Sequence, residues 1–134
     1  MGAWGPGVFE NDAACDFVSA VADGGGMAAL AEALDRVSSS GRNYLEAPDA
    51  EEGLAAAEIV ARLKGGSGQQ TAYSASIDAW IEGLPTGVLD ELIGKAKRSI
   101  TRILSEPSEL LELWKESDDF ESWKRSVEEI SKRL

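Results

Sequence analysis

Residues 89–104, LDELIGKAKRSITRIL, decide the fold class. Leu89, Leu92, Ile93, Ala96, Ile100, Ile103 and Leu104 recur at intervals of three and four, which lines one face of an α-helix. The outer face carries Lys95, Lys97, Arg98 and Arg102, a basic strip whose default reading is a solvated helix surface. Downstream, Pro107 reads as the first helical turn of a segment with Leu110, Leu111 and Trp114 inside. Asp118 and Asp119 then offer caps for a last helix whose Phe120, Trp123, Val127, Ile130 and Leu134 are spaced 3, 4, 3 and 4. Upstream, Leu84-Pro85-Thr86 is a break with Thr86 as the next cap. A short helix over 74–82 precedes it, offering Ile77, Trp80 and Ile81.

Further upstream, PDAEEGLAAAEIVARL (residues 48–63) carries a capping-box arrangement, Asp49 forward and Glu52 back. Leu54, Ala57, Ile59, Val60 and Leu63, with alanines at 55, 56 and 57, make a broad apolar surface that lets neighbours approach closely. This is the expected central helix. Gly65-Gly66-Ser67-Gly68 ends it, and the Gly/Ser-rich stretch through Gln70 reads as the most mobile loop. Residues 42–48 read as an extended connection anchored by Tyr44 and Leu45. A helix over 27–37 turns Met27, Leu30, Leu34 and Val37 inward. The first helix starts at Asn11 or Asp12, either of which can cap it, buries Ala13, Ala14, Phe17, Val18 and Val21, and stops at Gly24-Gly25-Gly26. With no strand pattern and no internal repeat, the expectation is a compact all-α bundle of six to seven helices, one domain over 1–134.

The net charge is −11 with no histidine. Residues 1–60 hold eleven acids against only Arg36 and Arg42, and residues 61–134 hold thirteen acids against eleven bases. The N-terminal half therefore carries most of the excess. That field repels phosphate backbones and favours basic partners, so nucleic acid is not an expected partner. Cys15 is the single cysteine, which excludes an intramolecular disulfide and suits a reducing compartment. There is no secretory signal, and no apolar run approaches the roughly 18 residues of a membrane span. A cytoplasmic protein without a membrane partner is the expectation.

The opening, MGAWGPGVFENDAACDF, puts a Gly5-Pro6-Gly7 turn between two large apolar groups, Trp4 and Phe9, just before a helix start. Both side chains suit core anchors, as do Trp80, Trp114 and Trp123. The competing reading is a binding loop with Trp4 over a pocket edged by Glu10, Asp12 and Asp16. The start MGAWG-x-G-x-F-x-ND-x-A-x-DF, the ending ELWKESDDFESW with a terminal RL, and the alanine-rich LEAPDAEEGLAAAEIVARLKG between them resemble the bacterial domain of unknown function 4259 family. The resemblance covers nearly the whole chain. It implies a small bacterial protein with no catalytic residues to carry over.

Nucleophile–base pairs are missing without histidine, and no phosphate-cradling Gly-x-x-x-x-Gly-Lys-Ser/Thr occurs. Carboxylates remain. Asp12 and Asp16, four apart, share a helical face behind Glu10, and Glu51, Glu52 and Glu58 are further acids that a hard cation would accept. No spacing matches a metal signature, and acids at a helix start already suit its dipole. Cys15 lies near a helix N-terminus, which lowers a thiol pKa, but packing is its default role. No cofactor and no catalytic residue is therefore expected. Two functions stand: an interaction module taking a basic protein partner, with an immunity-like shield as one form, or a carboxylate-only, metal-dependent hydrolase using Glu10, Asp12 and Asp16. A homo-oligomer without a ligand is a third.

Overall fold

The computed structural model describes residues 5–65, 74–84 and 90–134. Trp4, the Gly/Ser stretch through Gln70, the Thr86 cap and Leu89 lie outside the described residues. The helices are α1 (Asp12–Ala20), α2 (Gly26–Ser38), α3 (Ala47–Leu63), α4 (Ala75–Glu82), α5 (Asp90–Ile103), α6 (Glu109–Lys115) and α7 (Phe120–Arg133). The fold is all-α, and its helices share one hydrophobic core.

A helix with apolar or small residues on every side has to be buried on every side. That is the position of α3, which packs against each of the other six helices. Its buried set includes Leu54, Ile59, Val60 and the alanines 55–57, together with Gly53 and Glu58. Gly53 marks the closest approach: a Cβ there would lie 2.6 Å from Val37 Cγ2 and 3.6 Å from Ile103 Cδ1. α2 and α5 lie against α3 and against each other. Leu30, Leu34 and Val37 meet Leu92, Ala96, Ile100 and Ile103 in the same core. Ser99, fully buried, donates to the Leu34 carbonyl at 3.1 Å and so ties α5 to α2. At the far end Trp114 of α6 stacks on Trp123 of α7, with centroids 5.9 Å apart and planes 7° from parallel.

Asn11 is the cap of α1; its Oδ1 accepts the Ala14 N–H at 2.7 Å. α1 runs on into α2 through a π-type segment, Val21–Gly25, in which the Gly26 N–H reaches the Val21 carbonyl. Gly24, at φ 137°, kinks the chain there. The glycines thus bend the helix rather than separate two helices with a loop. The joined run Asp12–Ser38 is 27 residues and, by length and composition only, apolar enough to cross a membrane. This corrects the expectation that no run reaches that length. The kink and the packing of both halves on α3 make it weak support for a span.

Three local expectations are corrected. The Asp49–Glu52 capping box does not form, because α3 begins at Ala47, which sets Pro48 in the first turn and both acids inside the helix. The orphan Ala47 N–H is satisfied instead by Glu109 Oε1 of α6 at 2.7 Å, and the Arg36 guanidinium lies 4.0 Å from Asp49 and 3.5 Å from Glu52. Pro107 does not start α6. It lies two residues before α6, on the far side of the cis Glu106–Pro107 bond, and a parallel bridge pairs the next residue, Ser108, with Leu45. Tyr44 is no core anchor: neighbours in an extended segment point to opposite sides, and with Leu45 buried Tyr44 is 51% exposed. Asp119 holds the cap position of α7, but its side chain makes no capping bond.

Candidate functional site

The N-terminal loop is built around Glu10. Its Oε1 accepts the Gly7 N–H at 3.0 Å, while the Glu10 N–H bonds the Gly7 carbonyl at 3.0 Å. A Cβ on Gly5 or Gly7 would fall 2.3 Å from a Glu10 carboxylate oxygen, so the two glycines make the room in which this carboxylate sits. The Ser126 hydroxyl of α7 donates to the Pro6 carbonyl at 2.9 Å and docks the loop. Phe9 is buried, with the Arg62 guanidinium 5.5 Å over its ring, and the Cys15 thiol donates to the Phe9 carbonyl at 3.2 Å.

Below that loop, acids from three helices converge. Asp12 and Asp16 are exposed on α1, without an ion pair among the described residues. Glu51 of α3 is half-buried; burial is the main cause that holds its carboxyl pKa up, and the charges of Asp12 and of Glu109 on α6 contribute less. Beside them, the Tyr44 hydroxyl donates to Glu112 at 3.1 Å. Desolvation, that hydrogen bond, and the charges of Glu112, Glu109 and Glu106 all raise its pKa. Cys15 is also raised, first by burial and then by Asp12 and Asp16, against the depression a helix N-terminus alone would give. It remains a thiol.

The sequence pointed to Asp12, Asp16 and Glu51 but not to Glu109 and Glu112, which reach this face only when α6 docks. Glu10 is held by Gly7, and Asp12 and Asp16 face solvent. Among the described residues, no group of three or more His, Cys, Asp or Glu is placed to hold a metal ion. Glu58 is committed elsewhere: buried on α3, it receives Arg62 Nε at 2.8 Å and both terminal nitrogens of Arg133. Arg62 also forks onto Asp78 at 2.8 and 3.0 Å. Trp114 and Trp123 are buried and Trp80 is half-buried against the core.

The basic strip of α5 divides. Lys95 pairs with Asp35 at 3.0 Å and Glu91 at 3.4 Å. Arg102 binds four backbone carbonyls, those of Gly41 (3.0 Å), Asn43 (2.7 Å), Ser105 (2.9 Å) and Pro107 (2.8 Å). It therefore welds the connection before α3 and the segment before α6 to the end of α5.

No curated protein and no solved structure matches the chain. The model of the family described as "Domain of unknown function (DUF4259)" matches residues 2–126, nearly the whole length. With the opening motif, the alanine-rich α3 and the tryptophan-bearing end all inside that match, the chain belongs to the domain of unknown function 4259 family.

Proposed function

We propose that this chain is a protein-interaction module whose acidic N-terminal half receives a basic partner, in the cytoplasm of a bacterial cell and without a cofactor. An immunity-like shield over a basic protein is one concrete form. The observation that carries the reading is the setting of Glu51, a half-buried carboxyl whose pKa burial raises, with Asp12 and Glu109 from two other helices adding smaller like-charge contributions. Like charges brought together across three helices weaken a fold unless something offsets them. A lysine- or arginine-bearing surface would do so and would be steered in by the same field. Asp16, Asp23 and Glu46, exposed and without ion pairs among the described residues, extend the negative surface.

A lysine-rich peptide titrated into the isotope-labelled chain tests this. The reading expects amide shifts concentrated at the start of α1, the first turns of α3 and α6. Shifts spread evenly over every acidic surface, α7 included, would count against it.

A further inference from the structure

The corner where α5 ends carries positive charge that no carboxylate among the described residues pairs. Lys97, Arg98, Thr101, Arg102 and Ser105 line a shallow, open depression of about 390 Å³. Lys97 and Arg98 are exposed and have no ion-pair partner among the described residues. Arg102 is held by four carbonyls rather than by an acid, so it keeps its full charge in a fixed place and one Nη1 hydrogen to spare. Arg42, exposed and without an ion pair among the described residues, lies between Gly41 and Asn43, whose carbonyls Arg102 holds. The Thr101 hydroxyl donates to the Lys97 carbonyl and the Ser105 hydroxyl to that of Thr101, so the donors facing an anion here are the cationic side chains.

A chain with 24 acids and 13 bases would readily supply acids here if solubility alone shaped the surface. Arg98 and Arg102 stand four apart on one helix, an arrangement of like charges that destabilises it. The neighbouring acids are engaged elsewhere: Asp35 holds Lys95, and Glu106 holds Lys115.

We propose that this depression binds a phosphate-class oxyanion, either free or as the monoester of an organic molecule. Arg102 supplies a fixed charge, and Lys97 and Arg98 close from the exposed side. Guanidinium and ammonium groups make short, charge-assisted hydrogen bonds to phosphate oxygens, with arginine able to bond two at once. The site is independent of the acidic face, and it lies on a surface opposite in sign to the chain as a whole.

The test is an NMR titration of the full labelled chain with pyrophosphate, inorganic phosphate and glycerol phosphate, at constant ionic strength set with sodium chloride. Saturable shifts at Arg42, Lys97, Arg98, Thr101 and Ser105 are expected. The Lys97→Gln/Arg98→Gln double variant, at exposed positions whose side chains make no ion pair among the described residues, should weaken them at least tenfold with the rest of the spectrum unchanged. Tighter binding of glycerol phosphate than of inorganic phosphate would identify a monoester ligand, and the reverse a free anion. Three results would overturn the proposal: no saturable shift beyond that of chloride, saturation unaffected by the double variant, or an oligonucleotide saturating the patch when none of the three phosphates does.

Discussion

Gly53 shows how much one missing side chain decides. A methyl group there would press to 2.6 Å from Val37 Cγ2, so Gly53→Ala should destabilise the chain by about 1–3 kcal/mol, the usual penalty of overpacking; urea denaturation reads it directly. Glu51 carries a prediction with a sign. Its folded pKa is raised, so between the unfolded and folded values the folded chain binds more protons, and stability falls as pH rises through that window. Glu51→Gln should therefore raise the melting temperature at neutral pH, with the gain vanishing below the ordinary carboxylate value of 4.5. An equal gain at every pH would mean that charge is not the cause. Neither residue's role is readable from its neighbours in the chain. Gly53 sits in an alanine-rich run that looks uniformly small, and Glu51 meets Asp12 and Glu109 only through folding. Asn11 was legible, because a cap acts within three residues of itself.

Among elements, periodicity revealed each helix, since burial of one face writes a local pattern. The joints did not show, because they join distant residues. Glu109 caps α3 from 62 positions away, and Arg102 gathers carbonyls as far off as Gly41. Another joint ties α7 to α3 through Glu58 and Arg133, both largely buried. Removing one partner of a buried pair strands the other, so Glu58→Ala should cost about 3–5 kcal/mol. In native-state hydrogen exchange, α7 should lose protection before α2 and α5. Arg102→Lys should also destabilise, since one ammonium has three donors and cannot span four carbonyls. The candidate acidic face was half legible in the same sense: its α1 and α3 members stand out as acids in a stretch almost without bases, and its α6 members depend on docking.

For the whole molecule, the acid excess of residues 1–60 is partly absorbed by internal pairs. Arg36 takes Glu32 and Glu52, Lys95 takes Asp35, and Glu58 lies under Arg62 and Arg133. What remains on the surface is led by Asp12, Asp16 and Glu51. With no three ligating groups gathered among the described residues, Mg²⁺ or Mn²⁺ should raise the melting temperature no more than sodium chloride of equal ionic strength. A specific rise at micromolar metal would favour the hydrolase. The central claim, that the acidic face receives a basic partner, is tested most directly by association kinetics of a lysine-rich peptide at low and high salt. Three forms of the chain are compared: native, Asp12→Asn/Glu51→Gln, and the charge-matched Glu121→Gln/Glu128→Gln on exposed α7 positions. Screening confines the field of a surface charge to about 10 Å at 0.1 M salt, so association of the native chain should slow as salt rises. The account predicts that the first double variant slows association at low salt well beyond the second. Equal effects of the two variants, or association indifferent to salt, would contradict it.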